Sequence, residues 1–418
     1  MRVMIFSTTT GYQLRSFGEA AERLGVDLAF ATNRCKGLDD PWRDHAVPVR
    51  FHEEEASVRA VVDAAALRPV HGMIAVGDRP VRVAALAAQA LGLPGNPPDA
   101  AAASANKTRA RERFAAAGLP VPWFVELAHG DGHAGHVSFP AVVKPPGLSG
   151  SRGVIRVNDP AELDAAITRV RALLARKDVS ALGSGPDTLL IEGYIDGPEF
   201  AIEGVLTGGR FQAFAIFDKP DPLDGPFFEE TIYATPSSLP ADAQANVITE
   251  VERAARALGL AHGSVHAECR VARDGIYILE VAARPIGGLC SRVLRFARPG
   301  GGALASLEEV LLRHATGEDV RAFVRESRAA AVMMIPIPKR GILKRVEGVD
   351  AARQVPGIED LHITAKPDQL LERLPEAGSY LGFIFARATT PAEAVAALRA
   401  AHGRLAFVID TPIPVRAL

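Results

Sequence analysis

Short apolar runs alternate with alanine-rich amphipathic stretches along the first part of the chain. The apolar runs predict β-strands at 3–6, 27–31 and 72–76, and the longer stretches predict helices around 17–24, 58–66 and 81–91. This alternation is typical of βαβ units that build a small parallel sheet. The turns at 8–11 and 76–79 follow two of the strands, where open α/β sheets bind ligands.

The last part of the chain has a different pattern. Strands are predicted at 331–335, 361–364, 382–386 and 405–409, and helices around 350–354 and 391–401. Such a segment fits helices packed on one face of a small antiparallel sheet.

Strict polar–apolar alternation in the middle of the chain predicts a hairpin that brings two glutamates together. His266, Glu268 and Arg270 fall on one face of the first strand, and a loop over 273–275 places Glu268 directly opposite Glu280. Like charges repel across a ladder, so the pair indicates a bound cation, and oxygen ligands favour Mg²⁺ over zinc. The alternative is two solvated carboxylates on an exposed sheet face.

A lysine followed by a Gly/Ser loop suits an anion. Lys144 ends an apolar run, and the loop after it contains Gly147, Ser149, Gly150, Ser151 and Gly153. Backbone N–H groups of such a loop, beside a point charge, can hold phosphate. The motif is neither a Walker A loop nor GxGxxG, and a surface hairpin loop is the alternative.

Two acids flank the next turn. Glu192 and Glu199 lie at the facing ends of two strand-like runs, where they are able to accept hydrogen bonds from a ligand. Glutamates in such places also serve only to keep a surface soluble.

Composition bounds the function classes. The chain has 418 residues, 48% hydrophobic and 23% charged, with net charge −2, which describes a soluble globular protein of several domains. No basic footprint for nucleic acid and no apolar stretch of transmembrane length is present. Three cysteines without CxxC spacing favour a reducing, cytoplasmic setting.

Two histidine groups have the residue types of a metal site but not its spacing. His129, Asp131, His133 and His136 lie in a glycine-rich stretch at irregular spacing, which favours a solvated loop. His262 and His266 lie in or just before a strand, where a spacing of four does not form a helical metal pair.

In order and spacing, these motifs resemble the ATP-grasp superfamily, and within it the carboxylate–amine ligase branch that includes the L-amino-acid ligases. The resemblance covers nearly the whole chain. Its elements are Lys107 in Asn106-Lys-Thr-Arg, Lys144 with its Gly/Ser loop, Glu192 through Glu199, and Glu268 with Glu280, Arg284, Gly287 and Gly288.

The resemblance implies an α/β and α+β fold of three domains. A Rossmann-like pre-ATP-grasp domain would span 1–104, an ATP-grasp domain 105–327 with a mobile lid at about 138–188, and a small α+β domain of the L-amino-acid-ligase type 328–418. A homodimer is also implied.

The resemblance further implies an ATP-dependent ligase that uses Mg²⁺ or Mn²⁺. Such an enzyme joins a small carboxylic acid, such as an amino acid, to an amine through an acyl phosphate, and releases ADP and phosphate. Two alternatives remain: a bicarbonate-activating enzyme that forms carboxyphosphate, and a non-catalytic ATP-binding scaffold.

Roles carried over by resemblance divide into two sets. The nucleotide set comprises Lys107 and Lys144 on the phosphates, the loop of Ser149, Gly150 and Ser151 over them, Glu192, Gly193, Tyr194 and Ile195 along adenine, Glu199 on the ribose, and Lys219 near the γ-phosphate. The reaction set comprises Glu268 and Glu280 on Mg²⁺, Arg284 on the substrate carboxylate, and Gly287 and Gly288 at close backbone approach to the substrate. Lys144 also counts as catalytic, because it would hold the phosphate that is transferred.

Two further residues have open roles. His266, on the face of Glu268, would orient the acyl phosphate or relay the amine's proton, or is a satisfied sheet histidine. Glu230 would bind a substrate ammonium group, or is a surface acid.

One position departs from the family pattern Glu-x-Asn-x-Arg, because Ala282 stands where Asn is usual. The missing oxygen ligand implies that water completes the second Mg²⁺ site, that this site is weakened, or that catalysis is impaired.

Overall fold

The structure is a computed structural model that describes residues 1–8, 13–33, 46–128, 137–180, 188–298 and 300–411. The predicted turn residues 9–11, as well as His129, Asp131, His133 and His136, lie outside these residues. Internal contacts divide the chain into two units. The first comprises Met1–Val121, Phe200–Ile216 and Leu239–Glu326, and the second Pro122–Glu199, Phe217–Ser238 and Ser327–Leu418. No helix in the described ranges is long and apolar enough to cross a membrane.

The N-terminal stretch of the first unit is a parallel α/β layer. Its elements are β1 (Arg2–Ser7), α1 (Gln13–Leu24), β2 (Asp27–Thr32), β3 (Val47–Pro48), α2 (Glu54–Leu67), β4 (Gly72–Val76), α3 (Val81–Ala90), α4 (Pro98–Ser104) and α5 (Lys107–Ala116). The parallel sheet has the order β3-β2-β1-β4, and β1 is buried throughout. The predicted βαβ pattern is confirmed here.

The following stretch, in the second unit, contains β5 (Phe124–Leu127), β6 (Ala141–Lys144), β7 (Ile155–Val157), α6 (Pro160–Leu174), α7 (Lys177–Ser180) and β8 (Leu189–Gly193). These strands form an antiparallel sheet in the order β5-β8-β6-β7. Helix α6 begins at Pro160, and Asp159 caps it by accepting a hydrogen bond from Glu162 N at 2.9 Å.

The central stretch contains β9 (Glu199–Thr207), β10 (Arg210–Asp218), β11 (Ile232–Thr235), α8 (Ala241–Leu258), β12 (Gly263–Ala272), β13 (Gly275–Ala282), a 3₁₀ turn (Cys290–Val293), β14 (Arg295–Ala297), β15 (Ala305–Ser306), α9 (Leu307–Ala315) and β16 (Val324–Arg325). Within the first unit the strand order is β13-β12-β9-β10. Gly259, with φ 78°, ends α8 in the left-handed conformation that glycine adopts at low cost.

The predicted pairing of Glu268 with Glu280 is confirmed, but by a different route. Ala272 pairs with Gly275, so the loop has two residues rather than three. An irregularity after Glu268 then shifts the register, because Cys269 pairs with Ile278 while Glu268 pairs with Glu280. A bulge of this kind adds one residue to one strand and so restores the predicted partner.

The C-terminal stretch of the second unit contains β17 (Ala329–Ile335), β18 (Gly341–Glu347), α10 (Val349–Arg353), β19 (Ile358–Ile363), β20 (Leu370–Leu371), β21 (Gly382–Ala388), α11 (Pro391–His402) and β22 (Ala406–Asp410). The order β11-β17-β21-β19 forms an antiparallel layer, and α11 packs against β17 and β21. The predicted elements are confirmed, whereas the single sheet is not, since β20-β18-β22 form a sheet of their own.

Three arginines of the predicted lid range contact the C-terminal stretch within the second unit. Arg169 donates from Nε and Nη2 to the two carboxylate oxygens of Glu376 at 2.6 and 3.0 Å, and Arg176 Nη2 donates to Glu372 Oε2 at 2.7 Å. Arg152 Nε donates to Glu376 O at 2.8 Å. We call these five residues the arginine clasp.

The clasp lies beside the Gly/Ser loop. The N–H of Gly153, the last glycine of that loop, donates to Pro375 O at 2.9 Å. The predicted phosphate loop is therefore bonded directly to the C-terminal stretch.

Candidate active site

The facing glutamates of the β12–β13 hairpin form the centre of a charged cluster in the first unit. The side chains of Glu268 and Glu280 are only 18% and 19% exposed, which excludes freely solvated carboxylates. Lys107 Nζ lies 3.6 Å from Glu280 Oε2. Lys107 begins α5 directly after Asn106, whose side chain accepts from Arg109 N at 3.0 Å and so fixes the start of the helix.

Arg284, four residues beyond Glu280, is held by an aspartate that sequence reasoning missed. Its Nε and Nη2 donate to Asp78 Oδ1 and Oδ2 at 2.8 and 3.3 Å, and Nη2 lies 3.9 Å from Glu280 Oε1. Burial opposes the charge, but Asp78 and Glu280 outweigh it and raise the pKa of Arg284. The only sequence signal for Asp78 was its place in the turn after β4.

His266 bridges two carboxylates on the same sheet. Its Nδ1 lies 3.1 Å from Glu203 Oε2 and its Nε2 3.8 Å from Glu268 Oε1. Burial disfavours the imidazolium, but the two glutamates outweigh it and raise the pKa of His266 to about 9. Glu203 was also missed, and its signal is a single acid inside the apolar run of β9. Ala282 lies directly opposite His266 in the ladder.

The charged residues of the predicted nucleotide set in the second unit are buried and paired. Lys144 forms an ion pair with Glu192, and the two residues are 6% and 3% exposed. Lys219 Nζ donates to Glu199 Oε1 at 2.7 Å and to Glu230 Oε1 at 2.5 Å. This burial excludes the alternative that Glu192 and Glu199 only solubilise the surface, and Glu230 is not an isolated surface acid.

The end of β8 and the residue that follows it have fixed backbone positions. The N–H groups of Gly193 and Tyr194 donate to Trp123 O and Pro140 O at 2.9 and 3.0 Å, so these two groups are engaged within the protein. A Cβ at Gly193 would lie 2.8 Å from Trp123 Nε1, which accounts for the glycine.

A small apolar cluster packs against this segment. Val142, Leu223 and Phe228 are buried together, and Val154 and Tyr194 pack against them. Apolar and aromatic side chains of this kind suit the face of a planar base.

The predicted glycine positions differ in their surroundings. Gly150 and Ser151 adopt φ of 64° and 56°, consecutive left-handed residues that turn the Gly/Ser loop sharply. After Arg284, Gly287 is exposed, and a Cβ there would meet no atom within 4 Å. The protein's own packing therefore does not require glycine at 287.

Three protein families match successive parts of this chain. Residues 18–95 match the ATP-grasp N-terminal domain, 137–293 an ATP-grasp domain, and 333–410 the L-amino acid ligase C-terminal domain 2. The chain belongs to the ATP-grasp superfamily. The predicted fold class is thereby confirmed, while the domain boundaries 1–104, 105–327 and 328–418 stay a prediction.

Solved and curated relatives agree with this placement. The L-amino acid ligase from Bacillus licheniformis is similar with 28% identity and a TM-score of 0.82, over 98% of this ATP-grasp chain and 99% of that one. Carnosine synthase 1 of Gallus gallus is 33% identical over 58% of this chain, and dapdiamide A synthase of Enterobacter agglomerans 27% identical over 62%. The matches span 27% and 60% of those two relatives.

Proposed function

We propose that this protein is an ATP-dependent carboxylate–amine ligase that forms an amide bond between small molecules, at least one of them an amino acid or a related acid. The observation that carries the proposal is the half-buried pair of Glu268 and Glu280 beside Lys107 and Arg284. The match to the L-amino acid ligase C-terminal domain and the ligase relatives support it.

ATP-grasp enzymes use ATP, and the second unit offers groups suited to it. Lys144 and Lys219 would neutralise phosphate charge, and the left-handed turn at Gly150 and Ser151 would direct N–H groups at phosphate oxygens. Glu199 would accept from ribose hydroxyls. Adenine would lie along Glu192–Ile195. Because the N–H groups of Gly193 and Tyr194 already donate to backbone oxygens of the protein, other backbone groups of this segment would bind the edge of the base.

The first unit offers the groups suited to the reacting carboxylate. Glu268 and Glu280 present only oxygen donors, which fits Mg²⁺ or Mn²⁺, and such an ion would neutralise charge on the transferring phosphoryl group. Lys107 would add a positive charge beside it. Arg284, fixed by Asp78, would orient the substrate carboxylate. The open backbone at Gly287, with Gly288 after it, would let the substrate approach closely.

The chemistry proceeds in two steps. A carboxylate oxygen attacks the γ-phosphorus of ATP, and the bond from this phosphorus to ADP breaks, which leaves an acyl phosphate. The amine nitrogen then attacks the carbonyl carbon and loses a proton, the C–N bond forms, and inorganic phosphate leaves. His266 would act through Nε2, since Glu203 takes Nδ1, and Glu230 would bind a substrate ammonium group.

At Ala282 we propose that water supplies the missing ligand, because both glutamates and the arginine are in place. A homodimer and a cytoplasmic location belong to the same proposal.

The first test is phosphate release from Mg·ATP with single amino acids and all their pairs. We expect release that requires one acid and one amine, and loss of that release in Glu280→Ala. Glu252→Ala is the matched control, since Glu252 lies on α8 of the same unit, where it pairs with Arg256. Release without an amine, or equal release in Glu280→Ala, would overturn the proposal.

A further inference from the structure

A carboxylate, that of Glu203, lies in the middle of the buried and otherwise apolar run 200–206 of β9. Residues 199–206 of β9 are all buried, and Glu203 is 0% exposed between Ile202 and the segment Gly204–Val205. Burying a carboxylate costs several kcal/mol unless hydrogen bonds compensate it, on the order of what a whole core side chain contributes. Burial accordingly raises the pKa of Glu203, although the His266 bond acts in the opposite direction.

One oxygen of Glu203 accepts two hydrogen bonds from distant parts of the chain. Oε2 accepts from Ile286 N at 3.1 Å and lies 3.1 Å from His266 Nδ1. Because Oε2 already accepts from Ile286, Nδ1 is the donor toward it as well. A single atom thus joins β9, β12 and the segment after β13.

Both partners lie next to residues of the proposed reaction set: His266 is two residues from Glu268, and Ile286 precedes Gly287. With Nδ1 directed at Glu203, His266 turns Nε2 toward Glu268 Oε1 at 3.8 Å. Ile286 lies between Arg284 and Gly287, and its carbonyl accepts from Gln13 Nε2 at 2.5 Å. The backbone of this segment is therefore held on its N–H side by Glu203 and on its C=O side by Gln13.

The surroundings of the other oxygen, Oε1, allow Glu203 to be replaced by glutamine without loss of a hydrogen bond. Glu203 Oε1 is buried and has no hydrogen-bond partner among the described residues. A glutamine whose amide oxygen takes the place of Oε2 keeps both bonds, while a leucine loses both.

We propose that Glu203 is a positioning residue that fixes the ring of His266 and the Arg284–Gly288 segment in one arrangement. It does not touch substrate. The role in turnover rests on the proposed function, whereas the hydrogen bonds themselves do not.

The first arm of the test is independent of any substrate. Protein labelled with ¹⁵N-histidine is compared by NMR as wild type, Glu203→Gln and Glu203→Leu. We expect a downfield Nδ1–H resonance of His266 that persists in Glu203→Gln and is lost to solvent exchange in Glu203→Leu. An unchanged resonance in a folded Glu203→Leu protein would overturn the proposal.

A second buried glutamate of the same unit is the matched control. Glu309 is also 0% exposed, forms the capping box of α9 with Ser306, and pairs with Arg23 and Arg298. Glu309→Gln should lower the stability and leave the His266 resonance in place. Its loss in this variant would mean that general loosening, not Glu203, determines the resonance.

The second arm measures phosphate release with the amino-acid pair that reacts fastest in wild type. Removing the partner that orients a metal-binding side chain costs about 10- to 100-fold in affinity or activity, and we expect a loss of the same order here. We expect this loss in kcat for Glu203→Leu, with the KM for ATP unchanged. Glu203→Gln should restore kcat. In a protein that already carries His266→Gln, adding Glu203→Leu should lower kcat much less than it does in wild type. Independent losses in the double variant would contradict the proposal. If wild type releases no phosphate, the proposed function fails and the NMR arm still decides on Glu203.

Discussion

At the scale of single residues, the charged groups of the candidate site in the first unit are paired with one another. Arg284 and Asp78 are 11% and 17% exposed at their side chains and form two hydrogen bonds. A buried ion pair adds little net stability, but removing one partner leaves the other charge uncompensated. Such pairs fix an arrangement more than they stabilise the fold.

Replacing Asp78 with Asn should therefore destabilise the first unit by about 3 kcal/mol, the lower end for a broken buried pair because Glu280 remains near Arg284. Native-state hydrogen exchange of β12 and β13 measures this change. Asp319→Asn, in an exposed pair with Arg321, is the control and should have little effect. Equal changes in the two variants would disprove the role of Asp78.

Ala282 allows a test of the missing metal ligand. Its side chain shares a face with His266, Glu268 and Glu280, because they are two apart in a paired ladder. Ala282→Asn should lower the Mg²⁺ concentration that gives half-maximal phosphate release, since it adds an oxygen ligand. Ala282→Ser is a smaller control with a weaker expected effect. A higher Mg²⁺ requirement would mean that the site has no room for the side chain, as Ala282 is 1% exposed.

The lowered pKa of His314 predicts that the folded protein loses stability at acidic pH. Burial, and next the charge of His262, lowers its pKa to about 4, against about 6.5 in an unfolded chain. The unfolded chain therefore binds more protons between these values, so the stabilisation is complete above pH 6.5 and is lost as the pH falls toward 4. The loss amounts to roughly 3 kcal/mol.

The measurement is urea denaturation at pH 7.5 and 4.5, in wild type and in His314→Gln. The glutamine can keep the hydrogen bond to Thr207 Oγ1, which lies 2.8 Å from His314 Nε2. We expect a smaller difference between the two pH values in the variant. An undiminished difference would assign the acid sensitivity to other groups.

Whether a contact of the candidate site could be predicted from the sequence depends on how far apart its two residues lie along the chain. The pairing of Glu268 with Glu280 follows from alternation within one hairpin, although the bulge was not visible. Asp78 and Glu203 were missed because their partners lie 206 and 63 residues away, and only tertiary packing brings them together.

At the scale of helices and strands, periodicity predicted many elements of the N-terminal and C-terminal stretches and the β12–β13 hairpin, since each depends on its own apolar face. Strand neighbours are not encoded in that pattern. Strand β22 pairs with β18 rather than with β21, and no property of residues 405–409 alone distinguishes these partners.

The arginine clasp should restrain the lid. Arg169 and Glu376 are 45% and 31% exposed, so their bond contributes at most about 1 kcal/mol, or about fivefold in an opening equilibrium. Glu376→Gln should raise hydrogen exchange of residues 139–180 by up to this factor. Glu347→Gln breaks an exposed pair with Arg345 in the same unit and is the control. An increase in hydrogen exchange no larger than that in Glu347→Gln would show that the arginine clasp does not restrain these residues.

At the scale of the whole molecule, the C-terminal stretch is part of a core rather than an appendage. Ile232 and Ala234 of β11 pack in one cluster with Ala331 and Met333 of β17, and Ile232 pairs directly with Met333. Removing β17 would expose this apolar strand edge.

A chain that ends at residue 326 should therefore aggregate. Size-exclusion chromatography after expression measures this, and co-expression of residues 327–418 should restore soluble protein by supplying β17. A monodisperse 1–326 chain would show that the second unit folds without its C-terminal stretch.

Because stretches of the two units alternate along the chain, recombination between related genes is constrained. Each unit is assembled from three separate stretches, and residues 333–410 depend on β11 and on the clasp arginines, which lie in other stretches. Recombination between relatives that exchanges only the C-terminal segment would give β17 a foreign neighbour and leave Arg169 and Arg176 without matched acids. In a library of chimeric genes, functional crossovers should cluster where residues 137–180, 217–238 and 327–411 come from one parent, so that these stretches pass between lineages together.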